Sequence, residues 1–131
     1  MARACGLGHD AAKDYDIDLA PVFAPLSLID VGAFAAEHEP WTNRTLTAVG
    51  DSVVRLGILE GEFHWHHHDV EDEFFLVLEG RLLIDLRDRE TVELGAHQGF
   101  TVPHGVEHRT RAPQRTVVLM VEPAGVQPTG S

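Results

Sequence analysis

The chain has 131 residues, 44% of them apolar and 24% charged, which are the proportions of one globular domain with its own core. Its formal net charge is −11, from 21 acidic against 10 basic residues, and such a surface repels phosphate backbones and anionic lipid, so neither nucleic acid nor membrane is expected as a partner. The lone lysine, Lys13, and the lone cysteine, Cys5, both lie near the N-terminus; this argues against a buried Schiff-base lysine and a cysteine nucleophile, and leaves no partner for an intrachain disulfide.

Residues 1–25 carry Gly, Ala, Asp and two prolines without a period and read as an extended N-terminal arm. No apolar run approaches the roughly 20 residues that span a bilayer, and the first residues lack a secretory apolar core, so a cytoplasmic address is expected. The Val22-Phe23 pair in the arm is expected to meet a sheet edge of a second subunit, giving a homodimer. Residues 26–131 form the expected barrel domain. A short helix is predicted at Val31–His38, capped by Asp30 and stopped by Pro40.

After Trp41 the pattern changes to short β-prone runs: Arg44–Val49, Ser52–Glu60, Phe63–His68, Glu73–Glu79, Arg81–Leu86, Thr91–Leu94, Phe100–Val102, His108–Arg111 and Arg115–Glu122. Turn signals such as Gly50-Asp51, Glu79-Gly80, Asp88-Arg89 and Pro103-His104-Gly105 separate them. Many short strands with little helix between them predict an all-β, antiparallel sandwich or barrel. In Ser52–Glu60, alternation puts Val54, Leu56 and Ile58 on one face and Arg55 on the other, which is read as outward.

Histidine is the abundant titratable residue: nine in all, four of them in Phe63–His68. In an extended segment His64, His66 and His68 share one face, while Phe63, Trp65 and His67 share the other. Imidazoles two residues apart lie about 7 Å from each other at Cα, close enough to converge on one ion. A carboxylate follows at Glu73, and a distant imidazole at His108, after Pro103-His104-Gly105. Three imidazoles and a carboxylate leave one or two coordination positions open, as in a catalytic metal site. Singly, each of these residues is more often a surface or core residue than a ligand; the argument rests on their combination.

The stretch Gly61…His66-His67-His68…Glu73…Gly80, followed by Pro103-His104-Gly105…His108, resembles the two motifs of the cupin superfamily. Trp65-His66, Asp72-Glu73-Phe74-Phe75 and the Val121-Glu122-Pro123 ending resemble small single-domain bacterial cupins, and the likeness covers roughly residues 41 to 130. Where the second motif usually begins with glycine, this chain has His97, flanked by Gly95 and Gly99. The resemblance implies a single-domain double-stranded β-helix, or jelly-roll barrel. It also implies one divalent transition metal (Fe, Mn, Ni, Cu, Co or Zn) held by His66, His68, Glu73 and His108. His64 then falls beside the site, and His67 outside it.

If Glu73 points inward, so do Phe75 and Val77; with Val54, Leu56 and Ile58 they are expected to form an apolar pocket for a small organic ligand. His64 and Glu107 are the candidate proton-transfer residues. Three functions stay open: a metal-dependent oxidoreductase of dioxygenase type, a non-redox isomerase or cyclase, and a non-catalytic metal- or ligand-binding module.

Overall fold

The computed structural model describes residues 15–131; residues 1–14, with Cys5, Lys13 and the first part of the expected arm, lie outside the described residues. In chain order the elements are β1 (Asp16–Asp18), α1 (Val31–Ala36), β2 (Thr42–Val49), β3 (Ser52–Glu62), β4 (Glu73–Glu79), β5 (Leu82–Leu86), β6 (Val92–Leu94), β7 (Gly99–Val102) and β8 (His108–Pro123). The fold is all-β, as the run of short β-prone segments predicts, and its strands form one eight-stranded sheet in the order β1-β2-β3-β8-β4-β7, with β5 joining β8 to β6. All pairings are antiparallel except β1 with β2, which is parallel and sets Asp16 opposite Thr42.

Strand β8 organises the sheet: it pairs with β3, with β4 through its C-terminal half and with β5 through its N-terminal part. The sequence separates the runs His108–Arg111 and Arg115–Glu122, on either side of Pro113, yet one strand runs through. Its pairing with β3 jumps from Gly61↔Ala112 to Leu59↔Thr116, so the extra residues around Pro113 bulge out where no amide donor is needed.

Two apolar clusters lie on opposite faces of the β3–β8–β4 layer. The interior cluster includes Leu59, Phe75, Val77, Ile84, Val118 and Met120. The outer one joins Leu46, Leu56, Ile58 and Val117 to Ala35 of α1, with Phe23, Phe34 and Val54 packed against it. A six-residue helix cannot stand alone in water. Here the Asp30 side chain accepts from Ala33 N, and Arg115 donates to the carbonyls of Ala35 (2.8 Å) and His38 (3.2 Å), satisfying both ends. The helix predicted to His38 ends at Ala36, with Glu37 and His38 closing the last turn.

This layering corrects three expectations. Val54, Leu56 and Ile58 pack beneath α1 and not in the barrel interior, because the apolar face of β3 is the one the helix covers. Arg55, read as outward, is 1% exposed and points inward. Residues 15–25 lie on their own sheet: Val22 and Phe23 donate to the carbonyls of Thr45 and Leu46, and the Phe23 ring meets Phe34 edge-on.

Gly80 turns the chain out of β4 at φ +95°. A Cβ there would sit 2.4 Å from Thr116 Oγ1 and 2.7 Å from the Arg115 carbonyl oxygen, so the position requires glycine twice over. His97, the departure from the second motif, adopts the left-handed conformation itself (φ +70°) and donates its amide to Val77 O at 2.6 Å; the flanking glycines do not take over the turn.

Candidate metal centre

The histidine tract leaves β3 after Glu62 and is extended without being a regular strand. A single bridge fixes it: His66 and His108 exchange both backbone hydrogen bonds, each 2.9 Å. Gly105 N donates to His68 O at 2.8 Å, stitching the same two segments once more. On the outward side Trp65 lies against Arg87 and Arg109, whose guanidinium carbons are 4.1 and 5.2 Å from its ring centroid. With Trp65 anchored outside, alternation turns His66 and His68 inward.

Glu73 opens β4 and points to the same place. His66, His68, Glu73 and His108 each offer a ligand atom within 4.8 Å of the others, as the motif spacing predicts. Glu73 Oε1 is 3.3 Å from His68 Nε2 and 3.7 Å from His108 Nε2. The Nδ1–H groups of His66 and His108 donate to the carbonyls of His64 (3.0 Å) and Val106 (2.9 Å). Those bonds fix the tautomer that leaves each Nε2 with a free lone pair. His68 Nδ1, His68 Nε2 and His108 Nε2 are buried with no hydrogen-bond partner. Unsatisfied buried nitrogens are costly, and two of them, His68 Nε2 and His108 Nε2, beside one carboxylate fit a cation.

Electrostatics support the same donor set. Burial holds the His66 imidazole down to about 4, and the neighbouring His108 adds to this. Its contribution to stability is therefore present above the unfolded value near 6.5 and lost as pH falls toward 4. The ring stays a lone-pair donor well into the acidic range. Burial by itself would raise the Glu73 carboxyl, but the neighbouring Glu122, His108 and His68 side chains together hold it far below the usual range. Burial and the Glu73 charge push Glu122 up, against the pull of Arg55.

Glu122 and Arg55 were not expected at the site. The pair is almost wholly enclosed, with Arg55 Nη1 2.5 Å from Glu122 Oε2. Arg55 also donates to Val126 O (2.9 Å), Ala124 O (3.3 Å) and Thr45 Oγ1 (3.1 Å). The available signal was an acid inside the apolar run of β8, facing the same way as Val118 and Met120.

A narrow cavity opens beside the cluster. It has about 360 Å³ of empty space counted out to its mouth. His66 and Glu73 line it together with Tyr15, Asn43 and Thr110; Leu59, Phe63, Phe75, Met120 and Pro128 supply the apolar wall. Of the five expected pocket residues, Phe75 lines this cavity and Val77 belongs to the core beneath it.

The C-terminal segment crosses the mouth. Thr129 O accepts from His64 Nε2 (2.8 Å), Ser131 N donates to His67 O (2.9 Å), and Gly130 packs so tightly that a Cβ would come within 2.8 Å of His66 Cβ. His64 is therefore spent on the C-terminal segment and lies outside the donor set. His67 is exposed and hydrogen-bonded to Asp69 (2.9 Å). Glu107, the other proton-transfer candidate, pairs with Arg87 at 3.0 Å on the surface and does not line the cavity.

Comparison with known proteins places these features in a family. Residues 52–122 match the Cupin_2 family model, described as a cupin domain. The chain is 49% identical over 84 residues to the uncharacterized protein YdbB of Bacillus subtilis (strain 168), covering 64% of this chain and 74% of that protein. It is 48% identical over 46 residues to the polyketide synthase CurC of Streptomyces cyaneus, covering 35% of this chain and 29% of that protein. The crystal structure of a cupin-2 domain containing protein from Shewanella frigidimarina NCIMB 400 superposes with a TM-score of 0.68 at 33% identity, covering 73% of this chain and 93% of the other. Among the described residues no helix is long and apolar enough to cross a membrane. With the two motifs, the jelly-roll sheet and the His/Glu cluster in register with them, the chain belongs to the Cupin_2 family of cupin domains.

Proposed function

We propose that the protein is a metal-dependent enzyme, an oxidoreductase of dioxygenase type, acting on a small organic molecule held in the apolar cavity beside His66 and Glu73. The observation that carries the metal is the set of buried, unpartnered imidazole nitrogens of His68 and His108 around the charged Glu73 carboxylate. His66, His68, Glu73 and His108 would hold one divalent transition ion, and three neutral imidazoles with one carboxylate suit any of Fe, Mn, Co, Ni, Cu and Zn. Such an ion supplies Lewis acidity or, when redox-active, electron transfer toward dioxygen. Glu73 contributes the only formal negative charge of the donor set, while the hydrogen bonds of His66 and His108 to backbone carbonyls hold their rings in the ligating tautomer. Pro128 of the C-terminal segment screens the cavity from water.

A second reading is a non-redox isomerase or cyclase, which the same four residues would serve by holding a redox-inert ion as a Lewis acid. Oxygen uptake during turnover separates the two.

The test of catalysis against mere binding is Glu73→Gln beside Glu71→Gln. Glu73→Gln keeps an oxygen donor and loses the charge, so part of the ion should remain while turnover is lost. Glu71 lies outside the donor set, and its variant should keep both. Equal loss in the two variants, or full activity in Glu73→Gln, contradicts the reading. The protein is also proposed to be a homodimer, with Leu26 and Leu28, exposed beside the arm, as the apolar surface to be covered; a monomeric mass in light scattering at micromolar concentration removes that.

A further inference from the structure

One wall of the cavity is polar for no reason internal to the fold. Asn43, on β2, is 2% exposed, and its Oδ1 has no hydrogen-bond partner. Its Nδ2 donates to the Tyr15 hydroxyl across 3.5 Å, a long bond, and among the described residues the phenolic hydrogen has no acceptor. The Tyr15 ring is fixed edge-on to Trp41 and Phe63, with centroids 5.4 and 5.5 Å away. Tyr15 and Asn43 share the cavity with His66 and Glu73. A buried amide oxygen without a donor costs free energy in the empty protein and gains it when a ligand supplies the donor. Turning the amide over exchanges which group is free but still leaves one donor and one acceptor.

We propose that the Tyr15–Asn43 pair is the specificity element of the site, recognising a neutral hydroxyl on a small, largely apolar molecule whose other oxygen reaches the metal. One donor and one acceptor side by side match the single group that is both, a hydroxyl. An anionic group is disfavoured, because among the described residues no Lys or Arg lines the cavity, Glu73 already carries negative charge, and Arg55 is committed to Glu122. Small size follows from the volume of the cavity, and apolar character from Phe63, Phe75 and Met120. The proposal rests on the metal-centre reading, since it needs two anchoring points for the ligand.

The test uses the full chain loaded with redox-inert zinc and titrated calorimetrically with phenol, benzene-1,3-diol and benzene-1,4-diol. Neither diol can chelate one ion through both oxygens, so any preference over phenol reports a second hydroxyl site. At least one diol should bind about tenfold tighter than phenol, and Tyr15→Phe and Asn43→Ala should each bring that ratio close to one with zinc content unchanged. Tyr15→Phe removes a single oxygen and keeps the packed ring, so it reads the pair without disturbing the strand that carries Asn43. Zinc retained with no diol preference, or a preference that survives both substitutions, overturns the proposal. A wild type that takes up no zinc removes the metal-centre reading and this proposal with it, a failure distinguishable from the first by zinc content alone.

Discussion

Replacing Arg55 by Met should destabilise the metal-free protein by about 3 kcal/mol or more in urea titration at neutral pH, a large part of the 5–15 kcal/mol typical of a domain. Both partners of the Arg55–Glu122 pair are about 1% exposed, so the change leaves a buried carboxyl without its cation. Glu122 can take a proton, which limits the penalty, but the bonds from Arg55 to Val126 O and Ala124 O vanish as well. The same variant should therefore free the C-terminal segment, seen as faster amide exchange at Gly130 and Ser131. Adding Glu122→Gln should recover part of the loss, because the uncompensated acid is gone. A cost below 1 kcal/mol, the size of an exposed ion pair, would show that the pair is not enclosed as described.

His108→Ala should lower the ion content from one per chain to less than about a tenth, because it removes one of three imidazoles and no nearby side chain can substitute. The ring is 1% exposed, with Nδ1 tied to Val106 O and Nε2 directed at Glu73. His67→Ala is the control, a histidine flanked in sequence by His66 and His68. Its side chain is 45% exposed and bonded to Asp69, so ion content should stay near one. Elemental analysis of both variants, purified in parallel, decides. Retention in His108→Ala, or equal loss in His67→Ala, would contradict the donor set.

The parts of this molecule legible in sequence are those set by local rules. Asp30 before an apolar turn marks the helix start, and Gly80 marks the exit from β4. The clustering of His66, His68, Glu73 and His108 was legible because the motif spacing picks two of three same-face histidines to stand with Glu73. What the sequence hides is long-range. Alternation in β3 separates Val54, Leu56 and Ile58 from Arg55, but both faces are covered, one by α1 and one by the barrel interior. Local pattern makes the apolar face the interior, and only the Glu122 partner, on another strand, reverses the assignment. Tyr15 escaped for a similar reason. It stands in a segment that reads as an irregular arm, and its place in the cavity comes from the parallel pairing of β1 with β2. Pro113 misled in the opposite direction, since a bulge lets β8 continue past a residue that would end most strands.

The most direct test of the central claim is a crystal structure of protein supplied with a divalent transition metal, read by anomalous scattering. One anomalous peak per chain is expected, surrounded by the Nε2 atoms of His66, His68 and His108 and a carboxylate oxygen of Glu73, on the side of the cavity facing Tyr15 and Asn43. No peak at this cluster, or a peak held instead by the exposed His67 and Asp69, would contradict the account.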